Sequence, residues 1–201
     1  MRYEHQGKRP TIDASAWVAP NATLVGDVRI GARTAISYGA VLSAEDGTIT
    51  IGEDCVVMEN AVIKANKHAP LRIGHRVLVG PHAYLTGCTI ADEVFLATGS
   101  RVFNGASIGA RAEVRINGVV HLRTRLDADA TVPIGWIAVG NPATILPPER
   151  HEEIWAVQKP LDFPKFVFGV ERPPPGESIM PQVMPRYARA LARHRDDTAS
   201  A

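Results

Sequence analysis

The sequence predicts an all-β solenoid, a parallel β-helix built from six-residue units, and three observations predict it. Aliphatic residues recur at every sixth position, first as Ile12, Val18, Leu24, Ile30, Ile36 and Leu42, later as Ile90, Leu96, Val102, Ile108, Val114, Val120, Leu126 and Val132. A helix repeats at 3.6 residues and a half-buried strand at two, so a period of six belongs to neither and marks a short repeating unit. Glycine follows the periodic aliphatic in Ile30-Gly31, Ile51-Gly52, Ile73-Gly74, Val79-Gly80 and Ile108-Gly109, where a side chain would crowd a turn or a neighbouring coil. Small residues stand four positions after it, at Ala22, Ala40, Ala61, Ala83 and Ala106. Each unit then supplies one short strand and one corner, three units close a triangular coil, and about seven stacked coils bury the aliphatics along the axis.

Taken in chain order, the first run ends at Leu42 and the register resets at residues 46–49. It resumes as Ile51, Val57 and Ile63, resets again at 66–71, continues as Ile73, Val79 and Leu85, and shifts once more at Cys88. These resets are expected to be loops or trimmed corners. The rhythm stops near residue 146, and nine of the fifteen prolines fall in the last 55 residues. The expected organisation is therefore a β-helix over residues 1–146, a C-terminal helix within 147–159 packed on the solenoid, and a proline-rich arm, short helix and tail over 160–201. Residues 149–158 have helical composition after two prolines, with Ile154 and Trp155 facing the coils. Residues 159–185 are expected as an extended arm, whose Phe163, Phe166 and Phe168 suit the surface of a neighbouring subunit. Residues 186–195 predict a second helix with Tyr187, Ala190 and Leu191 inward, and 196–201 a disordered tail.

With 201 residues, 45% hydrophobic and 21% charged, the chain can bury one full core. A net charge of +1 lacks the broad positive field that nucleic-acid or anionic-membrane binding needs, so no nucleic acid is expected as a partner. No run of about 18 apolar residues is present, and the basic start is followed by no apolar stretch, which predicts no membrane contact and a cytoplasmic protein. Cys55 and Cys88 are too few for a disulfide scaffold and are expected as packed thiols.

Several segments resemble γ-class carbonic anhydrases over residues 11–146: Ser15-Ala16-Trp17-Val18-Ala19-Pro20, Gly26-Asp27-Val28, Pro70-Leu71-Arg72-Ile73-Gly74, Leu85-Thr86-Gly87-Cys88-Thr89-Ile90, Asn104-Gly105-Ala106 and Val139-Gly140-Asn141-Pro142-Ala143. The last of these is also shared with hexapeptide acyltransferases. The resemblance implies a left-handed coil, a homotrimer, and a zinc-type metal held between subunits by three histidines. At the corresponding positions this sequence has Lys64, Pro81 and Thr86, so the ligand set is replaced. Proline has no side-chain donor, a charged lysine repels a cation, and a hydroxyl is a poor substitute for imidazole on zinc. The family's Arg-Gly-Asp and Gln-Asp landmarks correspond to Ser43-Ala44-Glu45 and Met58-Glu59.

No cofactor is expected, and zinc only if His82 or His68 rebuilds the site. His82 would need a register slip of one residue, which in a strand turns a side chain to the other face. His68 belongs to the loop beside the site, and His121 is expected as an outward-facing surface residue. Lys64 is expected to pair with Glu59 or Glu45, and a desolvated lysine there would be a nucleophile or base. Three functions follow. One is a trimeric γ-carbonic-anhydrase-like protein with a degenerate metal site, lacking zinc-dependent CO2 hydration and holding a small-molecule ligand in the intersubunit cleft. Another is an enzyme of altered chemistry in that cleft, with Lys64, Glu59, His68 and His82 as its candidate residues. The third is a hexapeptide acyltransferase using a CoA thioester.

Overall fold

The structure, a computed structural model, describes residues 1–200. Strands of two or three residues alternate with corners and stack into three sheets, two of seven strands and one of ten. Neighbours within a sheet are three elements apart in the chain, as in Thr11–Ile12, Val28–Ile30, Ile49–Ile51 and Leu71–Ile73, so each coil visits all three sheets before the next begins. The fold is the left-handed β-helix of hexapeptide-repeat proteins.

Pairing sorts the periodic aliphatics into three columns, one for each sheet. Ile12 is in register with Ile30, then Ile51, Ile73, Ile90, Ile108 and Leu126. A second column runs Leu24, Leu42, Ile63, Leu85, Val102, Val120 and Ala138, all fully buried. Because side chains alternate across a strand, the residues on either side of these positions face outward. Each burial of a leucine or isoleucine contributes about 1.5–3 kcal/mol, and the repeat multiplies that term along the axis.

The corners explain the rest of the pattern. Arg33, Asp54, Arg76, Glu93, Arg111 and Asp129 form one corner column with φ between 55° and 62°. The periodic glycines allow coils to approach closely: a Cβ on Gly31 would lie 2.6 Å from the Gly52 carbonyl oxygen. The enlarged loops at the first two register resets stack on each other, with the Lys67 amide donating to Asp46 at 3.1 Å. They follow Val41–Ser43 and Val62–Lys64, adjacent strands in the middle of the ten-stranded sheet, and shape the groove described below.

At the C-terminal end Ile137–Val139 pairs antiparallel with Thr144–Leu146, which closes the parallel stack. Helix α1 (His151–Gln158) buries Ile154 against Val139 and Leu146 and leaves Trp155 37% exposed. Here several expectations are corrected. The arm expected as extended is partly helical, with turns at Lys159–Leu161 and Pro164–Phe168 favoured by prolines at their starts, and Phe163, Phe166 and Phe168 line a groove on the same chain. The second helix, α2 (Met180–Leu191), starts well before residue 186. Pro181 falls in its first turn, where a missing amide is harmless, and Pro185 is tolerated one turn later. Val183 is its buried residue, while Tyr187 and Leu191 stay 45% and 38% exposed above the groove. The tail is ordered as far as described: Thr198–Ala199 pairs antiparallel with Arg2–Glu4, joining the two chain ends. The last residue of the expected disordered tail, Ala201, lies outside the described residues.

Candidate functional site

Strands Val41–Ser43, Val62–Lys64 and Tyr84–Thr86 lie side by side in the ten-stranded sheet. Their central residues, Leu42, Ile63 and Leu85, are fully buried, so Ser43, Lys64 and Thr86 form an outward column in direct register. Phe103 and His121 continue toward the later coils, with ring centroids 6.2 Å apart. Lys64, Thr86 and Phe103 of this column floor a groove of about 810 Å³ whose roof is the C-terminal arm, including Phe163, Phe166 and Phe168.

One end of the groove is polar. Lys64 Nζ lies 3.5 Å from Glu45 Oε1, and the Ser43 hydroxyl donates to the same oxygen at 3.0 Å. The other carboxylate oxygen of Glu45 lies 2.9 Å from His194 Nε2. Asp197 places one oxygen 2.8 Å from His194 Nδ1 and the other 2.5 Å from His5 Nδ1. The rings of His5 and His194 stack at 4.2 Å. His5 is 2% exposed and Asp197 12%, while Glu45 and His194 are 22% and 28% exposed, so the network runs from a buried end to a partly solvated one and joins the N-terminal segment, an early loop and the C-terminal tail.

The charges in it are mutually dependent. Burial opposes ionisation of Glu45, but the His194 hydrogen bond, the Lys64 charge and the Ser43 hydroxyl outweigh it and hold the carboxyl below its usual range. Asp197 follows the same logic, with burial overcome by His194 and His5. Burial works to lower the His194 value, and its bonds to Asp197 and Glu45 raise it instead.

The structure gathers some of the sequence candidates and separates others. Lys64 and Thr86 adjoin, and His68 lies exposed on the loop lining the same groove, its amide bonded to Asn66. Of the two carboxylates considered for Lys64, Glu45 is the partner. Glu59, Pro81 and His82 stand at the opposite ends of the strands. The Glu59 carboxylate accepts the Ser37 hydroxyl at 2.5 Å, which lowers its pKa, and its carbonyl accepts the His82 amide. His82 is an exposed corner residue with φ of 57°, which places its ring away from Lys64. His121 departs from expectation: it is partly buried beside Phe103, its Nδ1 has no partner, and burial lowers its pKa. Cys55 and Cys88 are buried, and desolvation pushes the Cys88 thiol up to about 12, as suits an inert packed group.

His5, His194 and Asp197 were missed as site residues. Their only signal in the sequence is that they fall outside the six-residue rhythm, which does not distinguish them from other terminal residues. Among the described residues, no helix is long and apolar enough to cross a membrane.

No protein-family model matches the sequence. A curated relative, gamma carbonic anhydrase 1, mitochondrial, of Arabidopsis thaliana, is 35% identical over 153 residues, covering 73% of this chain and 54% of the relative. The chain spans about half the length of the curated relatives it matches. Among solved structures, a hexapeptide transferase family protein from Anaplasma phagocytophilum is 29% identical with a TM-score of 0.51, covering 78% of this chain and 89% of that one. A Bacillus cereus protein provisionally named an acetyltransferase has a TM-score of 0.63 at 24% identity, covering 79% and 91%, and shares the fold. The coil architecture, the repeat and these similarities together identify the chain as a γ-carbonic-anhydrase-like member of the hexapeptide-repeat family.

Proposed function

We propose that this chain is a trimeric γ-carbonic-anhydrase-like protein whose family metal site is degenerate, and which binds a small molecule in the groove over Lys64 without hydrating CO2. One observation carries the reading: where the resemblance implies an imidazole ligand, the Lys64 ammonium faces the Glu45 carboxylate at 3.5 Å. Its register neighbour Thr86 offers only a hydroxyl, and Pro81 has no donor atom. These three residues do not fit zinc, which takes imidazole nitrogen, thiolate or carboxylate, so no step is routed through a metal there.

The ligand class follows from the walls. Lys64 offers a cation to a carboxylate or similar small acid, and Tyr84, Phe103 and Phe166 offer apolar contact to its body.

The test is CO2 hydration by stopped flow, with the untagged chain saturated in zinc. The expected rate is the uncatalysed one; a zinc-dependent rate well above it overturns the reading.

A CoA-dependent acyltransferase is the second reading, favoured by His121, whose buried Nδ1 has no partner and whose pKa is lowered by burial, which favours the neutral form a general base needs. Support comes also from a second cavity of about 710 Å³ beside Arg123 and Asn141. Acetyl-CoA raising the melting temperature, and losing that effect in His121→Ala, would establish it; no shift at saturating CoA removes it.

A further inference from the structure

We propose that His5, Glu45 and His194 form a binding site for one divalent transition-metal cation of the zinc class, assembled on the solenoid by the two ends of the chain. The candidate donor atoms of these residues all lie within 4.8 Å of one another. The site uses none of Lys64, Pro81 or Thr86, so it stands independently of the function proposed above.

The orientation of the rings is the strongest argument. Both Nδ1 atoms are turned to one carboxylate, Asp197, at 2.5 and 2.8 Å, so one group fixes both imidazoles; the rings stack within 24° of parallel, and one of them tilts on binding so that both lone pairs reach the ion. Both Nε2 atoms therefore point away from Asp197. A carboxylate fixing Nδ1–H so that Nε2 presents its lone pair is the outer-shell arrangement that metal-binding histidines use. With Nδ1–H given to the Asp197 carboxylate, His5 Nε2 is the acceptor nitrogen; the Gln6 side-chain nitrogen lies 3.0 Å from it and is displaced when a cation binds. His194 Nε2 faces Glu45 Oε2 at 2.9 Å, with a proton between two groups that are both zinc ligands when it leaves. Binding exchanges that proton for the cation and releases it to solvent.

Charge and donor type select the ion. The carboxylates of Glu45 and Asp197 outnumber the single neighbouring ammonium of Lys64, which sits on the other oxygen of Glu45. Of the other charged residues lining the groove, Asp46 and Arg193 offset each other, and Lys165 is paired with Glu171 at 2.8 Å. Two imidazole nitrogens and one carboxylate suit zinc, cobalt or nickel, whereas calcium and magnesium take oxygen ligands.

The test uses the full chain stripped of metal by chelator. Cobalt(II) is titrated by its visible absorption and zinc by calorimetry. One ion per chain is expected, with zinc displacing cobalt. His194→Ala and Glu45→Gln should abolish the absorption, and Asp197→Asn should weaken affinity about 10–100-fold through the outer shell. His82→Ala should leave affinity unchanged, and circular dichroism should show the solenoid intact in every variant. Absence of saturable binding, binding that persists in His194→Ala, or binding lost in His82→Ala would each overturn the assignment.

Discussion

Gly52 fixes the distance between successive coils. A Cβ at this position would sit 2.4 Å from the Gly74 carbonyl oxygen, a backbone atom that cannot step aside without moving a coil. Gly52→Ala should therefore cost about 1–3 kcal/mol, the usual penalty of overpacking, and lower the chemical denaturation midpoint without changing its slope. The glycine was legible because the repeat made its role periodic: its equivalents recur at the same place in the unit. His82 shows the opposite case. In a list of histidines beside a family motif it is a plausible ligand, but the Pro81-His82 pair forms a corner, and the left-handed φ of 57° turns the ring into solvent. Lys64 was legible through the core instead. With Ile63 fixed inward by the period, its neighbour had to face out, and the register then placed it beside Thr86.

The C-terminal strand Thr198–Ala199 and the preceding turn hold the tail to the first strand through His194, Asp197, Glu45 and His5. The contributions have opposite pH signs. Glu45 and Asp197 have lowered values, so their stabilisation is complete above the unpaired values of 4.5 and 3.8 and is lost as pH falls through the folded ones. His194 has a raised value, so its stabilisation is complete below 6.5 and is lost as pH rises through the folded one. Without metal, the tail should be held most firmly between about pH 4.5 and 6.5, and limited proteolysis of residues 192–200 should be slowest there. Tail cleavage at one uniform rate from pH 5 to 8.5 would show that the network does not anchor it. This element was illegible in the sequence for a physical reason. Its two strands are separated by most of the chain, and nothing local in residues 196–200 distinguishes a strand that finds a partner from a tail that does not. The solenoid is the reverse: every pairing is between neighbouring coils, so its contacts are written as a short period.

On the scale of the whole molecule, the seven-stranded sheet containing Trp17–Val18, Val56–Val57 and Phe95–Leu96 presents an apolar row outward. Trp17, Val56 and Phe95 are 48%, 39% and 42% exposed, and Tyr38 packs edge-on against Trp17 with centroids 5.8 Å apart. Their inward neighbours Val57 and Leu96 fill the axis, so this row serves nothing within its own coils. Contiguous exposed apolar surface of this kind marks association, and repetition along a rigid prism presents it as a straight face that a second copy can match. The proposed trimer predicts that burying a charge in that face separates the subunits while each solenoid stays folded. Val56→Asp combined with Phe95→Glu should therefore convert the trimer to monomer in size-exclusion chromatography with light scattering, with the far-ultraviolet circular dichroism unchanged. A double variant that remained trimeric would move the interface to another face. A wild-type chain that ran as a monomer would remove the intersubunit cleft, leaving the groove over Lys64 as a site made by one chain and its own C-terminal arm.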